Sequence, residues 1–201
     1  MNREHWDERY ATEELIWKAE PNRFLVEELD ALAPGTALDV ACGEGRNAVW
    51  LASKGWRVTG VDFSRAGLAK AQRLATDRGV EVTWVEADVV EWQPPTASFD
   101  LVVVMYLHLP AEQRHRALAH AAAALAPGGV LLVVGHDTSN LLKGTGGPQD
   151  PAVLFTPEEI VEDLSGLQIE RAEQVKRTVV TDAGEATAID ALVRAVRPSL
   201  P

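Results

Sequence analysis

Two aspartates and two glycines, set around "LDVACGEGRNAVWLA" at residues 38–52 and the strand that follows, are the residues best suited to hold a small ligand. Gly43 and Gly45 separate a strand-like run from a helix-like one. At such a place glycine lets the backbone take positive φ or approach a ligand closely. The stretch Gly43-Glu44-Gly45-Arg46-Asn47-Ala48 fits the G-x-G-x-x-G/A pattern that seats a pyrophosphate, and Asp62 ends the next strand as a ribose-binding acid would. Asp39, four residues before Gly43, argues against phosphate. Two like charges about 4 Å apart cost on the order of 4 kcal/mol at a surface-like dielectric. An acid there suits a ligand that carries positive charge and no phosphate. S-adenosylmethionine is such a ligand, with its ammonium, sulfonium, carboxylate and adenosine.

On that reading the methionine end meets the glycine turn, with Arg46 placed to face its carboxylate and Met105 lining its side chain. Asp62, followed by Phe63, accepts from both ribose hydroxyls. Asp88 accepts from the adenine amino group, and the Val89 amide donates to a ring nitrogen. His108 in "MYLHLP" and His136-Asp137 in "VLLVVGHD" end two further strands. A histidine near its ordinary value of about 6.5 can take the proton from a hydroxyl that attacks a methyl group. His136 is the first candidate for that base and His108 the second, with Asp137 beside the acceptor. Neighbours on a strand point to opposite faces, so His136 and Asp137 share a substrate only if the strand has ended there. Trp6, Tyr10 and Trp17 precede the first strand, where flat rings suit a sulfonium or an apolar acceptor. No histidine, cysteine and carboxylate cluster has zinc spacing, and no metal site is expected.

These residues need elements to position them. Residues 1–34 read as a helical cap broken at Pro21. The runs "TALDVA", "RVTGVD", "VEVTWVEAD", "SFDLVVVMYLHL" and "VLLVVGHD" read as buried or half-buried strands. Helical runs separate them, among them "SRAGLAKAQRLATDRG", capped by Ser64, and "AEQRHRALAHAAAALA", stopped by Pro127-Gly128-Gly129. A Gly- and Pro-rich loop over 138–151 leads to the helix "TPEEIVEDLSG". Two β-like runs at 168–180 and 186–196, joined by "TDAGE", suggest a final hairpin. Strand and helix alternate about five times before that hairpin. The expectation is one α/β domain, a Rossmann-like open seven-stranded sheet, mostly parallel, with a C-terminal antiparallel hairpin and helices on both faces. Residues 35–137 would form the cofactor core, and 138–201 the substrate loop, helix and hairpin. Ligands of such sheets sit beyond the carboxyl ends of the strands, where the candidate residues fall.

"LDVACGEG", the acid of "VTGVDFS", and "VEAD" followed by "FDLVVV" and "LAPGGVLLVV" together resemble the class I S-adenosylmethionine-dependent methyltransferases, in that family's order over residues 36–135. "GRNAVWLASKGWRVTGVD" is most similar to the tellurite-resistance and thiopurine methyltransferase-like branch, which acts on small molecules. The resemblance implies methyl transfer from S-adenosylmethionine. Two departures stand out. Ala41 replaces the family's first glycine, and the terminal hairpin has Arg177 but not the histidine that accompanies it in the tellurite-resistance proteins. An oxygen acceptor with a histidine base is the first expectation. A sulfur, selenium or tellurium acceptor and an NAD-binding oxidoreductase are the alternatives.

Bulk properties narrow the partners. A formal net charge of −11 argues against nonspecific binding to nucleic acid or anionic membrane. Cys42 is the only cysteine, which fits a reducing compartment. No apolar run approaches the roughly 20 residues of a bilayer span. The expectation is a cytoplasmic protein, monomer or homodimer, acting on a small-molecule acceptor.

Overall fold

The computed structural model describes residues 3–199 apart from 13, 17, 18, 30, 31 and 183. The elements run α1 (Arg3–Tyr10), α2 (Arg23–Leu29), β1 (Thr36–Val40), α3 (Arg46–Ser53), β2 (Arg57–Asp62), α4 (Arg65–Asp77), β3 (Thr83–Glu86) and β4 (Phe99–Met105). They continue as α5 (Ala111–Ala124), β5 (Leu125–His136), the short α6 (Asn140–Lys143), a 3-10 turn (Pro151–Val153), α7 (Pro157–Asp163), β6 (Gln168–Thr181) and β7 (Gly184–Val196). The strands form one seven-stranded sheet in the order β3-β2-β1-β4-β5-β7-β6. Strands β1 to β5 pair in parallel, and β7 runs antiparallel to both β5 and β6. The expected mostly parallel sheet with a terminal hairpin is therefore present.

Alternation along the strands builds two cores. Leu38, Val40, Val102, Val104, Leu131 and Val133 meet α5 and α7 on one face. Ala37, Leu101, Val103, Leu132 and Val134 meet α2 and α3 on the other. Both faces are covered, which is why these strands read as unbroken apolar runs. Asp39 shares the parity of Ala37, and His136 that of Val134, so both acids and bases of interest project toward the α2 and α3 side.

Local chemistry sets the boundaries. Ser64 caps α4 by accepting from the Gly67 amide at 3.1 Å. Thr156 and Glu159 form a reciprocal capping box on α7, with Pro157 in the first turn. Three elements differ from expectation. The third strand is confined to Thr83–Glu86, because the chain then turns at Asp88. Pro127-Gly128-Gly129 does not separate helix from strand; Leu125 already pairs with Phe99, and the register shifts before Leu101 pairs with Val130. Among the described residues the N-terminal cap forms α1 and α2, and between them the Ile16 amide bonds the Glu44 side chain of the glycine turn.

Candidate cofactor and acceptor site

β1 ends in a tight turn. Ala41, Gly43 and Gly45 all have left-handed φ, at 57°, 54° and 77°. Gly45 is required by packing as well as conformation: a Cβ there would lie 2.6 Å from the Ala71 Cβ and 2.7 Å from Trp84. A Cβ on Gly43 would meet the Tyr10 hydroxyl at 2.7 Å. Tyr10, 5% exposed and stacked on Trp6, therefore lies directly over this turn.

Asp39 is buried beneath the start of α3. Gly45, at the N-cap, has no side chain to satisfy the first amides of that helix. Asp39 accepts from one of them, that of Ala48. Its Oδ2 has no hydrogen-bond partner among the described residues. Burial raises the Asp39 carboxyl to about 7, against the lowering effects of Ala48 and Arg46. Arg46, the nearby cation, makes no hydrogen bond or ion pair to a described residue; burial pulls it below its ordinary value while Tyr106 and Asp39 oppose that pull. A buried carboxylate oxygen without a donor, beside an uncommitted guanidinium, suits a ligand with adjacent ammonium and carboxylate groups.

Asp62 lies at the end of β2, its Oδ2 accepting from the Gly43 amide and its Oδ1 from the Ser64 amide, each at 2.8 Å. Burial raises its value, with those amides acting in the opposite direction. The two bonds fix the carboxylate in place and leave each oxygen a further acceptor position. Phe63 is half-buried next to it. Asp88 is exposed, and its Oδ1 accepts from the Val90 amide at 2.9 Å, turning the chain after β3. Val89 is buried against the α5 side.

Beyond β4 a second cluster gathers. Met105 is buried at the strand end, and Tyr106 takes a left-handed φ of 60°, an uncommon conformation for a bulky residue. The Tyr106 hydroxyl donates to Asp190 Oδ2 at 2.9 Å, and Arg177 Nε donates to the same oxygen at 2.7 Å. Across the β5–β7 pairing His136 faces Asp190, its Nδ1 lying 3.0 Å from Asp190 Oδ1. Burial opposes ionisation of Asp190, but contacts with His136 and Arg177 outweigh it and hold the carboxyl below its usual value. Tyr106 is pushed up to about 12, first by burial and then by Asp190.

The two candidate histidines part company here. His108 stacks on His136, yet its Nε2 accepts from the His136 backbone amide at 3.1 Å and its ring also bonds the backbone of Tyr106. Burial and the neighbouring His136 lower it to about 4. Asp137 lies on the opposite face, where Ser139 N–H and the Gln174 amide donate to its Oδ1 at 2.8 and 2.9 Å. It does not join His136 in one site. Trp17 lies outside the described residues. Among the described residues no group of three or more His, Cys, Asp or Glu side chains is arranged to hold a metal ion.

Sequence reading missed Asp190 and Tyr106 and mentioned Arg177 only as the arginine of the hairpin that lacks its companion histidine. The available signal was one acid inside the apolar run "TAIDALVRAV". It also missed Glu44–Lys70, a buried ion pair at 2.9 Å. Lys70 further donates to Thr12 Oγ1 and the Glu14 carbonyl, and Glu44 accepts from the Ile16 amide. The pair thus fastens the N-terminal segment across the glycine turn.

Residues 37–129 match the family model described as a methyltransferase domain. The demethylmenaquinone methyltransferase of Thermus thermophilus is 38% identical over 104 residues, 51% of this chain and 47% of that protein. The chain spans about half the length of the curated relatives it matches. Two solved structures share the fold over nearly the whole chain. One, from a study of the conversion of a disulfide bond into a thioacetal group during echinomycin biosynthesis, has a TM-score of 0.80 at 21% identity, covering 98% of this chain and 91% of the other. The other is the N-methyltransferase NodS of Bradyrhizobium japonicum in complex with S-adenosyl-L-homocysteine, with a TM-score of 0.73 at 20% identity and 98% coverage of each chain.

Proposed function

We propose that the chain transfers a methyl group from S-adenosylmethionine to a hydroxyl of a small-molecule acceptor. The observation that carries this is the pair of acids at adjacent strand ends, Asp39 with its unpartnered buried Oδ2 and Asp62 fixed by two amides, in a methyltransferase domain. Asp39 holds the ammonium, Arg46 the carboxylate, and Gly43 and Gly45 let the backbone approach. Asp62 accepts from the ribose hydroxyls, with Phe63, Asp88 and Val89 beside the adenine and Met105 against the methionine side chain. Bound there, S-adenosylmethionine supplies an electrophilic methyl on a sulfonium. The protein's contribution is orientation and a water-poor site, which Tyr10 and the N-terminal segment help to close. His136 takes the acceptor's proton. His108, with its ring held by two backbone groups, keeps the end of β5 in register.

The acceptor chemistry is tested by screening hydroxyl, carboxyl, thiol and chalcogen compounds for methylated product. Hydroxyl compounds give product with the wild type and lose about 100-fold or more in His136→Ala. Thiol or chalcogen products alone, unaffected by His136→Ala, contradict the hydroxyl reading.

A further inference from the structure

We propose that Asp190, on β7, is the positioning residue that fixes the tautomer of His136, with Arg177 and Tyr106 fixing Asp190 in turn. The proposal rests on the hydroxyl-acceptor reading of the same site. Asp190 is fully buried, and its two oxygens have different work. Oδ2 accepts from both Tyr106 O–H and Arg177 Nε–H. Oδ1 has only His136 Nδ1 within reach, at 3.0 Å and off the ideal hydrogen-bond angle; neither atom has another partner among the described residues. Arg177 can only donate, so Oδ2 is an acceptor there, the carboxylate paired with that guanidinium is ionised, and the remaining oxygen needs a donor. His136 satisfies it only by carrying its proton on Nδ1, which leaves Nε2 as the lone-pair nitrogen.

The groups that face His136 agree with this assignment. Asp190 comes from β7 and Arg177 from β6. Tyr106 stands at the end of β4, 5.1 Å from His136 between ring centroids, and His108 stacks at 5.3 Å. Arg46, from α3, faces Tyr106 and Asp39 rather than His136. His108 places a backbone-bonded, neutral ring against His136. Gly147 packs against the Cδ2 side of the His136 ring, where an added Cβ would lie 2.5 Å from Cδ2 and 2.7 Å from Nε2. That glycine lets the loop after α6 lie close against the imidazole.

In the reaction, the acceptor oxygen forms its bond to the methyl carbon as the carbon–sulfur bond breaks, and the bonding pair stays on sulfur. The hydroxyl proton goes to His136 Nε2, and the resulting imidazolium is stabilised by Asp190 until the proton passes to solvent. Asp190 touches neither substrate and acts through the imidazole.

Asp190→Asn has a specific consequence. Because Tyr106 and Arg177 both donate to one oxygen, the amide must turn its oxygen toward them and its NH2 toward His136. Nδ1 then becomes the acceptor and the proton moves to Nε2, where it blocks base function. Long-range proton–nitrogen NMR on the full chain reads this directly, at a pH where the imidazole is neutral, with His136 assigned by comparison with His136→Ala. The expected result is an Nδ1–H tautomer in the wild type, inverted to Nε2–H in Asp190→Asn. A wild-type His136 protonated on Nε2, or a tautomer unchanged by Asp190→Asn, overturns the proposal. The wild-type spectrum decides even where the variant fails to fold. Titration with S-adenosylhomocysteine separates the two readings: loss of binding in the wild type sinks the methyltransferase reading, whereas intact binding with the wrong tautomer sinks only the role of Asp190.

Discussion

The two oxygens of Asp39 differ: one accepts from the first turn of α3 and the other has no partner among the described residues. Its folded-state value of about 7 lies above the ordinary 3.8, so the folded chain holds this proton more tightly than the unfolded chain does. Its contribution to stability therefore falls as pH rises from about 4 to about 7 and is constant above that. An ammonium bound at Oδ2 favours the charged form, so binding below about pH 7 expels a proton. Calorimetry of S-adenosylhomocysteine at about pH 6 in buffers of different ionisation enthalpy should show release of about one proton, absent in Asp39→Asn. Equal heats in all buffers would refute it. Asp39 and Asp62 were legible in the sequence because a strand end fixes where a side chain goes. Asp190 was not, because its partner His136 lies on another strand and only the β5–β7 register brings them together.

At the level of elements, the glycine turn and the N-terminal segment behave as one unit. Gly45 packs against α4 and β3, whereas Gly43 faces the mobile end of a side chain, Tyr10. Gly45→Ala should therefore cost about 3 kcal/mol or more, combining left-handed strain with overpacking. Gly43→Ala should cost about 1–2 kcal/mol, chiefly the strain. Urea unfolding of the two variants measures the difference, and equal losses would contradict this account of the turn. Lys70→Met removes the buried ammonium 2.9 Å from Glu44 and should destabilise by about 3–5 kcal/mol in the same assay. A change below about 1 kcal/mol would show that the pair does not fasten the segment. Helix α4 and its Ser64 cap were readable because capping is local. The Glu44–Lys70 pair was not, since Glu44 lies in the turn and its partner 26 residues on, in a different helix. The Pro127-Gly128-Gly129 turn misled for a related reason: local turn residues do not reveal that strand pairing resumes on either side of them.

For the molecule as a whole, apolar runs covered on both faces were enough to establish a parallel sheet, and the hairpin followed from two β-like runs joined by a glycine turn. The strand order sets Asp39, Asp62, Asp88, Met105 and His136 at or just past the carboxyl ends of β1 to β5, with Arg177 and Asp190 on the hairpin beside them. No helix among the described residues is long and apolar enough to cross a membrane. With acids rather than open phosphate-binding amides at the first two strand ends, the site should discriminate sharply between a zwitterionic adenine nucleoside and a dinucleotide with a negative pyrophosphate. Titration calorimetry of the wild type with S-adenosylhomocysteine and with NADH, using Asp62→Ala as the control, tests this most directly. The account predicts saturable binding of S-adenosylhomocysteine, at least about tenfold weaker in Asp62→Ala, and no binding of NADH. Binding of NADH without binding of S-adenosylhomocysteine would contradict it.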